Sequence, residues 1–286
     1  MIPPKNSPVT ERLMLTGHLS AEDIRIIQIL QGNTKKFPAR LDFPRPAKGQ
    51  KTLYVIVRGW AYTFKDLQDG SRQVIDVLIP GDIAGLRTGL LASPDQSFGT
   101  ITEIEAAEVS TIAILRLFQQ WPRVASSLLS AASQDGAILA ERLVDIGRRS
   151  ATARIAHFLL ELGVRLESIG QGTRHGYACP LTQHDLANVL GLTAIHVNRV
   201  LRELRERGFL AFRNAEVEFL DRKGLTALAQ FDPSYLNHRP IRTSAPDQQE
   251  IDEQDARGAI AHSPAKVDQP SIPRPSRRSV RSGPSE

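Results

Sequence analysis

The chain has one cysteine, Cys179, in 286 residues. A single thiol excludes an intramolecular disulfide, a cysteine-ligated iron–sulfur cluster and a multi-cysteine zinc site, and it fits a reducing compartment. Long apolar runs are also missing. No stretch approaches the length that spans a bilayer, and the first ten residues, with Pro3, Pro4 and Pro8, hold no apolar segment of the secretory kind. These absences make the cytoplasm the expected location and give no reason to expect a membrane partner. Charge of one sign is not in large excess: 36 Lys and Arg face 31 Asp and Glu. The resulting pI of about 9.5 permits a nucleic-acid partner without demanding one. No Ser/His/Asp set, paired carboxylates, phosphate loop or metal-spaced cluster stands out, so the expectation is a non-enzyme with no resident cofactor.

What is present reads as an α+β chain of two domains, with 41% hydrophobic residues available for its cores. Residues 1–19 are expected to be a flexible N-terminus. Ser20 and the carboxylates of Glu22 and Asp23 then open a short helix carrying Ile24, Ile27 and Leu30. From about Phe37 to Phe118 short runs rich in Val, Ile, Tyr and Thr alternate with turns at Arg58-Gly59, Asp69-Gly70-Ser71 and Pro80-Gly81-Asp82, the pattern of a small antiparallel barrel. The barrel domain is placed at residues 20–123. Over residues 124–149 proline disappears, and Leu129, Ala132, Gly136, Leu139, Leu143 and Ile146 recur at spacings of three and four, the seam of a coiled-coil helix. That seam fits either the same helix of a second subunit or the chain's own barrel. A further amphipathic helix at 151–166 opens the second domain, residues 150–238. Residues 239–286, rich in Pro, Ser, Arg, Gln and Asp, read as a disordered tail.

The most informative segment runs from Leu181 to Arg205. Thr182 is placed to cap a short helix, with Asp185 in its first turn; Gly191 ends that helix and Thr193 caps the next. On the second helix Val197, Leu201 and Leu204 share one face, while Ile195, Asn198, Arg199 and Arg202 project from another. An apolar group, an amide and two guanidiniums on an exposed helical face suit the major groove: the Arg199 fork matches guanine O6 and N7, Asn198 suits adenine or a phosphate, and Ile195 suits a thymine methyl. For an isolated helix the blander reading is that Arg199 and Arg202 only pair with Glu203 or Glu206. The continuation favours DNA. Phe209 to Phe212 and Val217 to Leu220 flank Arg213-Asn214-Ala215-Glu216 as a short hairpin, so helix, turn, helix and wing follow in order.

On these motifs the chain resembles the Crp/Fnr family of bacterial transcription regulators over nearly all of residues 20–237. The barrel carries the likeness in Leu53-Tyr54-Val55-Ile56-Val57-Arg58-Gly59 and in Ile79-Pro80-Gly81-Asp82-Ile83-Ala84-Gly85-Leu86. The resemblance implies a cyclic-nucleotide-binding-like barrel, a dimerisation helix and a winged helix-turn-helix. It implies a homodimer that binds double-stranded DNA and meets RNA polymerase. By the same resemblance Thr182, Gln183, Thr193, His196 and Arg202 contact phosphates and Ala194, Ile195 and Arg199 occupy base-reading positions. Ile195 stands where the family often has Glu, so the operator is expected to differ from the best-known one.

Cyclic-nucleotide-binding relatives carry a Gly-Glu pair and an Arg-Ser pair. Here Gly85 is followed by Leu86, and Asp95 to Gly99 offers no Arg for an anion. Cyclic AMP gating is therefore not expected. Gly85, Leu86 and Arg87 mark a candidate effector pocket for an unidentified ligand, with Arg87 itself read as a solvated surface residue. Cys179, just before the first helix of the motif, is a minor redox candidate against the blander reading of an inert small residue. Two alternatives stay open: an orphan regulator without effector, or a small-molecule-binding protein whose helix-turn-helix makes only protein contacts.

Overall fold

The computed structural model describes residues 7–15, 19–43, 52–70, 72–87 and 96–236. Two helices, α1 (Pro8–Leu15) and α2 (Ala21–Leu30), precede eight strands: β1 (Thr34–Phe37), β2 (Asp42–Phe43), β3 (Thr52–Arg58), β4 (Ala61–Asp66), β5 (Arg72–Leu78), β6 (Ile83–Ala84), β7 (Ser97–Thr100) and β8 (Ile104–Ser110). Helices α3 (Thr111–Gln120), α4 (Pro122–Arg148) and α5 (Ala151–Ser168) follow. The C-terminal part adds β9 (Gly172–Thr173), β10 (Gly176–Ala178), α6 (Gln183–Leu190), α7 (Ala194–Glu206), β11 (Leu210–Arg213), β12 (Glu216–Phe219), α8 (Arg222–Ala229) and a 3-10 turn at Pro233–Leu236. The fold class is α+β. The tail expected at 239–286 lies outside the described residues.

Two antiparallel sheets, in the orders β1-β8-β3-β6 and β2-β7-β4-β5, form the barrel. Successive side chains of β3 point to opposite faces, so Tyr54 and Ile56 enter the barrel while Leu53 and Val55 pack outward against α1, α2, α3 and α4. At one end aromatic rings fill the interior: Tyr54 stacks on Phe98 at 5.1 Å between centroids, and Phe43 lies 5.0 Å from Phe98 and 5.1 Å from Phe37. Gly70, at φ 81, makes the left-handed turn between β4 and β5 that the Asp69-Gly70 pair predicts.

Two sequence expectations need correction. The N-terminus is not flexible throughout, because α1 buries Val9 and Leu13 one turn apart and seats Arg12 between Asp82 at 2.7 Å and Asp135 at 2.6 Å. The strand-like run up to Phe118 ends in a helix instead: Ser110 caps α3 by accepting from the Ala113 amide, and Ile114 and Leu117 turn inward. The barrel and the C-terminal part share an apolar cluster. Trp60, Val74, Val77 and Ile101 of the barrel lie in one apolar cluster with α5, α6 and α7. Each fully buried side chain of this kind is worth about 1.5–3 kcal/mol, so the barrel and the C-terminal part stabilise one another.

Helix α4 uses both of its faces differently. Val124, Leu128, Ala131 and Ile138 are buried against the rest of the chain. The predicted seam points away from it, with Leu129 at 65% and Leu143 at 73% exposure and Leu139 and Ile146 also exposed. Among the described residues self-packing therefore accounts for one face and leaves most of the seam exposed. Helix α5, read as amphipathic, is buried on nearly every side from Ile155 to Leu166. Its Glu161 and Arg165 are held in a chain of ion pairs: Arg165 to Asp82 at 2.7 Å and to Glu161 at 3.5 Å, and Glu161 to Arg142 of α4 at 3.0 Å.

Candidate nucleic-acid interface

The helix-turn-helix is built by local hydrogen bonds that the sequence specifies. Thr182 accepts from the Asp185 amide, and the Asp185 carboxylate accepts from the Thr182 amide at 2.8 Å, a reciprocal cap that fixes the start of α6. Gly191 closes α6 in the left-handed region at φ 62, and the Thr193 hydroxyl then accepts from the His196 amide to start α7. A second brace crosses the motif: Asn198 donates to the Gln183 side-chain oxygen at 3.1 Å. The angle between α6 and α7 is thus held at both ends.

Helix α7 buries Val197, Val200, Leu201 and Leu204 and presents its other face to solvent. Ile195 is 85% exposed, so its side chain is available to a partner. Asn198, Arg199 and Arg202 are exposed beside it, and Thr182, Gln183 and Thr193 are exposed at the two helix N-termini. His196 and Ala194 are half-buried. The predicted interface residues therefore lie together on and around one face. Neither arginine is neutralised by the carboxylates that the blander reading named: Arg199 meets the His196 ring at 3.3 Å and Arg202 meets the Asn198 side-chain oxygen at 3.5 Å, while Glu203 pairs with Arg207. Strands β11 and β12 form the predicted wing, turning through Asn214 and Ala215 at φ 53 and 56.

Sequence reasoning missed two arginines that position this motif. Arg40, between β1 and β2, donates two hydrogen bonds to Asp185 at 2.7 and 3.0 Å. Burial works to raise the Asp185 carboxyl, but hydrogen bonds from Arg40 and Thr182 outweigh it and hold it below its ordinary value. Arg154 of α5 donates to the Leu190 carbonyl at 2.8 Å, satisfying the C-terminal end of α6. Neither lies near the motif in sequence, and no local pattern marks them. From the barrel side Gln73 also donates to the Asn188 carbonyl, at 3.2 Å.

The remaining candidates fall elsewhere. Cys179 is fully buried, and burial pushes its thiol up to about 12 against an opposing hydrogen bond from the Leu181 backbone. A thiol in that state supplies no thiolate for oxidation near neutral pH, so the redox expectation is replaced by the inert one. Gly85 takes φ 83, and Leu86 and Arg87 line a cavity of about 330 Å³. Arg87 is partly buried: its side chain is 21% exposed and lies 3.8 Å from Asp76.

Comparison with known proteins agrees with this geometry. The Crp-like helix-turn-helix domain matches residues 153–228. The nitrogen fixation regulation protein FixK of Rhizobium meliloti is 34% identical over 164 residues, spanning 57% of this chain and 70% of the relative. The transcriptional activatory protein AadR of Rhodopseudomonas palustris is 28% identical over 217 residues, 76% of this chain and 89% of the relative. In fold the chain is similar to FixK2 from Bradyrhizobium japonicum, with a TM-score of 0.60 over 68% of this chain and 96% of that one, at 24% identity. Among the described residues no helix is long and apolar enough to cross a membrane. With a barrel, a long helix and a winged helix-turn-helix in the expected order and a relative matched over most of its length, the chain belongs to the Crp/Fnr family of transcription regulators.

Proposed function

We propose that this protein regulates transcription in the cytoplasm as a homodimer, placing two copies of α7 in the major grooves of a near-palindromic operator. The observation that carries the reading is the solvent-facing side of α7, where Ile195 and Arg199 project and, among the described residues, no carboxylate pairs with the guanidinium. In this role Ala194, Ile195 and Arg199 read bases, with Asn198 as an addition, and Thr182, Gln183, Thr193, His196 and Arg202 hold phosphates. The exposed seam of Leu129, Leu139, Leu143 and Ile146 supports pairing of α4 with its copy, since four apolar side chains on one helical face need a partner. Two recognition helices then fall about one helical turn of DNA, roughly 34 Å, apart. RNA polymerase is the downstream partner by analogy with the family.

Gating by cyclic AMP is not part of this reading. Leu86 replaces the ribose-binding carboxylate, and aromatic rings occupy one end of the barrel interior. The 85–87 stretch is instead proposed to face an effector of another kind.

Binding tests separate the two classes of contact. Arg199→Ala is expected to lose about 1–3 kcal/mol on the operator and to relax preference at one base pair, whereas Arg202→Ala weakens specific and random duplexes alike. Equal losses on operator and random DNA for both variants would refute the assignment.

A further inference from the structure

The cavity beside Arg87 lies outside the barrel, not within it. Its walls are Leu53 on the outer face of β3, Ile114 and Phe118 of α3, and Leu128, Leu129 and Ala132 of α4, with Leu86 and Arg87 from the turn after β6 and Ser133 completing it. The lining is apolar except for Ser133, whose hydroxyl donates to the Leu129 carbonyl, and Arg87. A guanidinium carries five donors, and leaving them without acceptors in a low-dielectric place is unfavourable. Among the described residues the ion-pair partner of Arg87 is Asp76, at a distance beyond hydrogen bonding, 3.8 Å, and Asp76 Oδ1 has no hydrogen-bond partner either. The cavity thus offers an apolar body of about 330 Å³, in the size range of small-molecule sites, with one partly exposed cation that among the described residues has an ion-pair partner only at 3.8 Å.

We propose that this outer cavity binds an organic monocarboxylate with an aliphatic or aryl body, its carboxylate bridging to Arg87 and its chain lying between β3, α3 and α4. The inference deepens the effector-facing reading of residues 85–87 and rests on it. A carboxylate accepts two parallel hydrogen bonds from a guanidinium, which a neutral head group of the same size does not. Leu129 and Ala132 belong both to the cavity wall and to the exposed seam of α4, so an occupant presses on the same helix that the proposed dimer uses.

Octanoate and octan-1-ol test this on the full chain by titration calorimetry, since they share a body and differ in the head group. Octanoate is expected to saturate one site per chain and to bind at least tenfold tighter than octan-1-ol. Arg87→Met is expected to erase that preference while leaving octan-1-ol binding in place, and Ser133→Phe, which adds bulk to the cavity wall and leaves Arg87 intact, is expected to weaken both. Circular dichroism of each variant establishes that it is folded. The proposal is overturned if folded wild-type protein shows no saturable octanoate binding, if octan-1-ol binds as well as octanoate, or if folded Arg87→Met keeps the preference. Retention of a duplex by the same preparation is read in parallel: loss of octanoate binding with DNA binding intact removes this inference alone, and loss of DNA binding removes the regulator reading.

Discussion

Asp76 is a carboxylate in the wrong solvent. It sits on β5 at 5% exposure with Oδ1 unpartnered. Burial is the main influence and raises its carboxyl from the ordinary 3.8 to about 6; Asp135 and Asp82 add to the rise, and Arg165 and Arg87 oppose it. Between these two values the folded chain holds a proton that the unfolded chain has released. The stability linked to Asp76 is therefore fully present below pH 3.8 and is lost as pH rises through about 6. At 1.36 kcal/mol for each tenfold change in proton affinity, the loss amounts to about 3 kcal/mol above that range.

Asp76→Asn keeps the shape of the protonated side chain and abolishes its ionisation. The variant is expected to match wild type near pH 4 and to be more stable by up to about 3 kcal/mol at pH 8. Urea unfolding followed by circular dichroism at half-unit steps between these limits measures the difference directly, and contributions from groups that do not interact with Asp76 cancel in it. A difference that does not vary with pH would refute the reasoning. So would a variant less stable than wild type at pH 8 but not at pH 4, because that pattern means Arg165 and Arg87 hold the ionised form more tightly than burial disfavours it.

Other perturbations test the scaffold around the interface. Glu161→Gln leaves Arg142 and Arg165 buried with less compensation and is expected to destabilise by about 3–5 kcal/mol in thermal or chemical unfolding. Thr182→Ala removes the cap of α6 and is expected to lower stability by about 0.5–2 kcal/mol, with faster amide exchange in the first turn of that helix. Leu143→Glu places a charge on the free seam of α4; sedimentation should show a monomer with the circular dichroism of wild type, and a dimer that survives the change would move the interface elsewhere.

The helix-turn-helix was legible because each of its parts is specified within a few residues. Thr182 finds its partner three positions on in Asp185, Gly191 alone tolerates the closing conformation without strain, and the apolar spacing of α7 declares which face is buried. The barrel strands were legible for the same reason, through alternation and turn glycines. The segments that were misread take their order from distant residues. Pro8–Leu15 is too short to be a stable helix alone, and it is fixed by Asp82 and Asp135, which lie 70 and more positions away. Thr111–Gln120 is so apolar that length and texture do not separate it from a strand; the cap at Ser110 and the wall of α4 decide.

The same distinction runs through the site. The residues proposed to touch DNA could be named from sequence because a recognition helix displays its own side chains, whereas Arg40 and Arg154, which hold α6 from the barrel and from α5, could not. Asp185 joins the two levels: its carboxylate closes the local cap at Thr182 and at the same time receives Arg40 from the barrel. The N-terminus of α6 is therefore set both by its own sequence and by the sensor-like barrel. Arg40 and the cap of α6 thus share one carboxylate, although 145 positions of chain separate Arg40 from Asp185.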